Sequence, residues 1–170
     1  MKIALNRWKP QLEARMAAAR TRLARARHFR GHGVHSPFVY AIVREVFMRT
    51  TLLPGDRALY RALLEAGANE RRAMQLQNLA IHEGYDTFGV DRADAAFCIA
   101  TPRLSRTELL QLADTAARTG ATIAVLEPTS GYERRMLCRQ LVAMHRSTSV
   151  DNRAYLLLFN NHLPKQHFEL

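Results

Sequence analysis

The chain has 170 residues, of which 48% are hydrophobic, enough for one domain with a buried core and too few for two. No apolar run reaches the length that crosses a bilayer, and the N-terminus lacks the apolar core of a signal peptide, so we expect a cytoplasmic protein. The net charge of +10 is concentrated in residues 1–50, which carry +9, whereas residues 51–170 carry +1; this indicates a basic arm on one nearly neutral globular domain.

The first 30 residues predict an amphipathic basic helix, because apolar side chains recur at steps of three and four and arginines occupy the other faces. Such a helix can dock on its own domain, contact nucleic-acid phosphates, adsorb to anionic lipid or enter a partner's groove. Docking is the simplest interpretation, since Trp8 and Phe29 alone do not make a stacking surface for bases. The candidate nucleic-acid contacts are Arg15, Arg20, Arg22, Arg25, Arg27 and Arg30.

Residues 31–38 read Gly-His-Gly-Val-His-Ser-Pro-Phe. The two glycines can end the preceding helix, and Ser36 is placed to cap a new helix that begins at Pro37. His32 and His35 could bind a metal or move a proton, but no Cys, Asp or Glu lies nearby in the sequence. We therefore interpret them as turn histidines and predict no metal site.

Residues 53–94 give weaker signals. Asp56 is a plausible cap for a short helix that carries apolar residues and ends at Gly67. From Ala73 to Asn78 the alternation of apolar and polar side chains predicts a half-exposed strand at a sheet edge. We interpret residues 81–90 as a loop or ragged helix in which Gly84 and Gly89 form no cofactor cradle.

The second half predicts an α/β domain. Residues 95–100 and 121–126 are apolar runs typical of buried parallel strands, and the intervening Ser105–Glu108 capping box opens a helix that Gly120 closes. Strand, helix and strand in this order form a right-handed crossover. A second capping box at residues 130–133 predicts another helix, followed by antiparallel strands at 148–150 and 154–159 with the tail alongside.

The two cysteines, Cys98 and Cys138, lie in a strand-like and a helix-like run without metal-binding spacing. A disulfide is uncommon in the cytoplasm. We expect two reduced thiols in the core.

Both ends of the chain carry a family signature. A basic helix followed by His-Gly-Val-His-Ser-Pro-Phe-Val-Tyr, together with Lys165-Gln166-His167-Phe168 at the end, resembles a group of bacterial class I S-adenosylmethionine-dependent methyltransferases. The resemblance covers both ends and, more loosely, residues 95–160, and it implies a Rossmann-like sheet of parallel strands that ends in an antiparallel hairpin. The motif positions His32, Gly33, His35, Ser36 and Pro37 have no chemical role that we can derive.

The resemblance also implies a Gly-rich loop after the first strand and an acidic residue after the second, which together hold the cofactor. Neither element is found between Gly67 and Asp94. We therefore expect a reduced fold, with N-terminal helices in residues 1–50 and a methyltransferase-like domain in residues 51–170, from which the adenosine half of the pocket is missing.

The candidate catalytic residues are few. Ala100 occupies the strand end where related enzymes often place an aspartate, and Glu127 stands at the end of the next strand. Glu127, His82 and Glu83 could form an acid–base cluster. The simpler interpretation is a strand-end acid and a solvated pair, and one carboxylate does not hold a hard cation.

These observations predict a methyltransferase-like protein that is non-catalytic, binds no cofactor and acts as an interaction or structural protein. Loss of the front section exposes a strand edge, which a second copy or a partner protein could pair with, or which the Pro37 helix and the basic arm could cover. We predict a dimer. The alternatives are a methyltransferase that uses S-adenosylmethionine and is completed by a partner chain, and nucleic-acid binding through the basic arm.

Overall fold

The computed structural model describes residues 35–170. The basic helix predicted in the arm, its six arginines, His32 and Gly33 lie outside the described residues.

A six-stranded sheet forms the centre of the molecule. Its order is β1-β2-β3-β5-β4-β6, and β5 is the strand that runs antiparallel to its two neighbours. The other pairings are parallel. The strands are β1 (Phe88–Val90), β2 (Phe97–Ala100), β3 (Thr122–Leu126), β4 (Thr148–Asp151), β5 (Tyr155–Leu158) and β6 (Gln166–Glu169).

Within residues 35–170, five α-helices cover the two faces of this sheet. They are α1 (Pro37–Ile42), which continues into a π-helical turn (Val43–Phe47), α2 (Ala58–Glu65), α3 (Glu70–Glu83), α4 (Arg106–Thr119) and α5 (Tyr132–Met144). The first three share a core with Phe97, Ile99 and Leu157, whereas α4 and α5 share a core with Cys98, Ile123 and Leu158. Because successive strand residues point to opposite faces, alternate side chains serve the two helical layers. The architecture is a Rossmann-like α/β fold, as predicted.

The best local predictions concern the helix ends. Val39 N donates to Ser36 Oγ over 3.4 Å and Pro37 opens α1, as the sequence indicated. Ser105 and Glu108 form the predicted capping box of α4, and Gly120, with a φ of 77°, ends that helix. The hairpin of β4 and β5 and the tail strand β6 are also confirmed.

The strand predicted at Ala73–Asn78 is wrong, since these residues lie within α3. The alternation was misleading because Gln75 and Gln77 are buried: Gln75 Nε2 donates to the Phe47 carbonyl over 3.1 Å, and Gln77 Oε1 accepts from Tyr60 N over 2.9 Å. Asn78 is buried too, and it bonds Leu53 N and the Thr51 carbonyl. These amides tie α3 to the chain before it.

Three smaller predictions are also corrected. Asp56 does not cap α2, whose N-cap residue is Arg57 and forms no side-chain bond. Ser130 does not cap α5, whose N-cap residue is Gly131. The region predicted as a loop or ragged helix contains the end of α3 and the edge strand β1.

The connection from β1 to β2 has only six residues, 91–96. Parallel neighbours normally need a crossover of a dozen or more, usually with a helix. The short return brings Arg92 directly over Gly89, where an added Cβ would lie 2.7 Å from Arg92 Cγ. Gly89 therefore permits the tight turn.

Candidate functional site

Ligands of open α/β sheets bind beyond the carboxyl ends of the parallel strands, which together form the carboxyl edge of the sheet. Asp91, Thr101 and Glu127 immediately follow β1, β2 and β3. Asp91 and Glu127 have left-handed backbones, with φ of 57° and 50°. Backbone strain of this kind concentrates at functional edges.

The Asp91 carboxylate joins the ends of β1 and β2. Its Oδ1 accepts from Thr101 N and its Oδ2 from Thr101 Oγ1, both over 2.7 Å. Asp91 N donates to the Ile99 carbonyl over 2.8 Å, and Thr101 is buried. Both carboxylate oxygens are thus used within the protein, at the point where the first strand meets its neighbour.

Arg134, from the first turn of α5, covers the ends of β2 and β3. Its Nε and Nη2 donate to the Leu126 carbonyl over 3.1 and 2.9 Å, and Nη2 also lies 3.1 Å from the Thr101 carbonyl and 3.4 Å from that of Ala100. Partial burial, which removes water from the charge, lowers the pKa of this guanidinium. The strand-end carbonyls are therefore satisfied by a cation of the chain itself.

Glu127 lies at the end of β3, as predicted, but its partner is Arg72 of α3, with 3.1 Å between Oε1 and Nη1. Glu127 N donates to the Ala154 carbonyl over 2.9 Å. The ion pair is partly open to solvent and contributes at most about 1 kcal/mol.

His82 and Glu83 lie near the start of β3, whereas Glu127 follows the end of that strand. They end α3, and the next residues lead to Tyr85, whose hydroxyl is 2.7 Å from Oγ1 of Thr122 at the start of β3. Glu127 follows the end of β3, so the five residues of that strand, roughly 16 Å, separate the two places. His82 Nε2 is 3.8 Å from Glu83 Oε1, and burial raises the pKa of Glu83. The structure does not bring the three candidates together.

The described parts of the two end motifs make structural contacts. Ser36 caps α1, and Pro37 begins it. In β6, His167 Nδ1 is 2.9 Å from Ser149 Oγ, and nearby Lys165 Nζ donates to the Ala143 carbonyl over 2.6 Å. These bonds hold the tail strand against β4 and α5.

The two thiols are free and buried. Burial raises the pKa of Cys138 to about 11 and also raises that of Cys98. A thiolate is the reactive form, so neither cysteine is poised as a nucleophile.

A cleft of about 710 Å³ opens beside the carboxyl edge, between the beginnings of α4 and α5. Arg134 links it to the strand ends. Its lining combines charged, hydroxyl and apolar side chains. The lining residues are Pro102, Leu104, Ser105, Arg106, Ser130, Gly131, Tyr132, Glu133, Arg134, Met136 and Leu137.

Sequence reasoning missed Asp91, Thr101, Arg72 and Arg134. Asp91 directly follows the three-residue strand Phe88–Val90, which was too short to show a periodicity. The partners are distant in sequence, since Arg72 and Glu127 are 55 positions apart and Arg134 and Thr101 are 33 positions apart. Only the sheet brings them together.

Residues 35–170 contain no group of three His, Cys, Asp or Glu side chains that could hold a metal ion. In the same range, no helix is long and apolar enough to cross a bilayer. No family model, curated protein or solved structure matches the chain. The class of fold therefore rests on the sheet order and the two helical layers.

Proposed function

We propose that this protein is a methyltransferase-like protein that does not transfer methyl groups and acts as an interaction or structural protein. The likeness rests on the two end signatures and on the Rossmann-like sheet with its final antiparallel hairpin. The carboxyl edge of the sheet supports the absence of catalysis, and the outer strand β1 supports the interaction role.

The observation that carries the proposal is the turn after β1. In a Rossmann-like site, this turn brings bare main chain to the cofactor and leads into a helix whose N-terminus faces it. Here residues 91–96 lead directly into β2. Asp91 closes the turn with two bonds of 2.7 Å to Thr101. A nucleoside entering here meets a carboxylate already engaged and no following helix whose N-terminus could face it.

Calorimetry with S-adenosylmethionine tests the first half. We expect no saturable heat at millimolar ligand and no rise in Tm, because a ligand that does not bind the native state does not stabilise it. Asp91→Ala, which removes the engaged carboxylate, is the matched variant. Saturable binding to the unaltered chain would contradict the proposal and favour the enzyme alternative.

The interaction role depends on β1, one of the two outer strands of the sheet. Phe97 N donates to the Thr87 carbonyl and Asp91 N to the Ile99 carbonyl, so residues 87, 89 and 91 face β2. Phe88 and Val90 consequently direct their main-chain groups away from the sheet. Such an edge accepts a further strand.

We propose that a second copy of the chain pairs along β1. Light scattering at micromolar protein should then give the mass of a dimer. Val90→Pro removes one outward N–H and should shift the mass toward the monomer, whereas Val90→Thr keeps the N–H and should not. Circular dichroism verifies that both variants are folded. A monomeric mass for the unaltered chain would refute pairing between copies.

A further inference from the structure

The cleft between α4 and α5 is separate from the closed turn after β1, and its size suits a small molecule. It lies on the face of the sheet that packs against these two helices. Its charged and apolar lining includes no residue of the two end motifs that resemble the methyltransferases.

Arg134 forms no ion pair with an acidic side chain of residues 35–170, although the charges of Glu127 and Asp91 act on it. Its Nε and Nη2 donate to backbone carbonyls, and within residues 35–170 its Nη1 makes no hydrogen bond or ion pair. Carbonyl dipoles orient the guanidinium but do not neutralise its charge. Because the group is half-buried, an oxyanion beside Nη1 would be attracted more strongly than at an exposed arginine.

A second guanidinium stands on the opposite wall. Arg106, in the first turn of α4, donates from Nη2 to Gln140 Oε1 of α5 over 2.8 Å. This bond spans the two helices and positions the side chain at the cleft. Arg106 forms no ion pair within the described part of the chain. Glu133 is the acidic lining residue, so the arginines outnumber it.

The remaining lining is apolar or aromatic. Tyr132 is 74% exposed and Met136 is 40% exposed, so both side chains are accessible to a ligand in the cleft. Leu104 and Leu137 also line the cleft. A ligand with a flat or apolar body could contact these side chains while its charged group meets the arginines. The first main-chain amides of α5 add donors at the same rim.

We propose that this cleft binds a small organic oxyanion, a phosphate monoester or carboxylate attached to an aromatic or apolar body. Arginine favours these groups because its planar fork matches two oxygens. Arg106 and Arg134 bind the oxyanion, and Tyr132 and Met136 contact the body. Glu133 weakens binding through repulsion.

Titration of the full chain with phenyl phosphate and phenylacetate, followed by NMR chemical shifts, tests the site. We expect saturable shifts at residues of the cleft with at least one of the two anions. Phenol and inorganic phosphate each lack half of the ligand and should bind more weakly. No saturable shift with either organic anion at millimolar concentration would overturn the proposal.

Variants that remove a positive or a negative charge from the cleft should change the affinity for the anion in opposite directions. Arg106→Gln should weaken binding by about tenfold, as for one lost charge-assisted contact. Glu133→Gln should tighten binding by several fold. Arg139→Gln, which removes an exposed arginine of α5 outside the cleft, is the matched control and should leave affinity within about twofold. Equal effects of Arg106→Gln and Arg139→Gln would contradict a specific site.

Tyr132→Ala tests the apolar half and should weaken phenyl phosphate more than inorganic phosphate. Single-stranded oligonucleotides serve as competitors. If affinity for them rose with their length and depended on Arg106, the face would be a nucleic-acid surface and the small-ligand proposal would be wrong. Arg134 is left unaltered because it also ties the strand ends together.

Discussion

Left-handed backbone conformations mark the carboxyl edge at the scale of single residues. Asp91, Glu127 and Arg153 have φ of 57°, 50° and 69°. A non-glycine residue in this region costs on the order of 1 kcal/mol or more. At Asp91 the cost is offset by the two bonds to Thr101. The Asp91 carboxylate therefore lies at the carboxyl edge and also stabilises the turn after β1.

Gly89→Ala should destabilise the protein. The new Cβ would lie 2.7 Å from Arg92 Cγ and 3.0 Å from the Arg92 carbonyl oxygen. The backbone oxygen cannot move without displacing the turn, so we expect a loss of about 1–3 kcal/mol in the free energy of unfolding, measured in urea.

The control for this prediction is Arg92→Ala, which breaks only an exposed ion pair with Asp94 and should cost less than about 1 kcal/mol. In the double variant, removal of the flexible side chain should restore part of the stability, because the carbonyl contact remains. Wild-type stability of Gly89→Ala would mean that the turn relaxes freely.

At the scale of elements, the same Ser-x-x-Glu spacing occurs before α4 and before α5 but caps only α4. Ser105 Oγ accepts from Glu108 N over 3.3 Å, and Glu108 Oε2 accepts from Ser105 N over 2.8 Å. Ser130 instead donates to the Glu127 carbonyl over 2.9 Å, and α5 begins after Gly131. The left-handed Glu127 starts a turn that uses the second serine before the helix begins.

Ser105→Ala and Ser130→Ala form a matched pair. Loss of the cap at α4 should lower the free energy of unfolding by about 1 kcal/mol. Ser130→Ala removes an exposed turn bond and should lower it by less than about 0.5 kcal/mol. Urea unfolding of both variants measures the difference. Equal losses would show that the cap geometry of Ser105 does not contribute.

At the scale of the whole molecule, the sheet is held by bonds that reach from helix ends to strands. His145, just after α5, lies 3.2 Å from the Thr148 carbonyl and 3.0 Å from the Phe159 carbonyl through Nε2. Carbonyls only accept, so Nε2 carries the proton. Burial lowers the pKa of His145, and the nearby Lys165 acts in the same direction.

This buried imidazole predicts an acid dependence of stability. Unfolded histidine binds a proton below a pH of about 6.5, whereas native His145 does so only at lower pH. The stability that the neutral imidazole contributes is therefore fully present above that pH and is lost as the pH falls through the window below it. Urea unfolding between neutral pH and pH 5 should show the decline, and His145→Gln should reduce its slope. The same slope in both proteins would contradict the assignment.

The sequence by itself determined the second half of the fold. The apolar runs of β2 and β3, the capping box at Ser105 and the glycine at 120 act locally, so their chemistry is readable without a partner. It also determined that Ser36 and Pro37 begin a helix and that Glu127 ends a strand. The roles of the basic arm and of the end signatures remain predictions.

The tertiary structure was needed to show that α3 is a helix and which residues make up the carboxyl edge. Gln75, Gln77 and Asn78 are polar side chains whose burial depends on acceptors and donors supplied by other segments, so α3 looked like a half-exposed strand. Asp91 meets Thr101, and Arg134 meets Leu126, because parallel strands place their carboxyl ends side by side. A pattern along the chain records which side chains are polar, whereas their partners are set by the order of strands in the sheet.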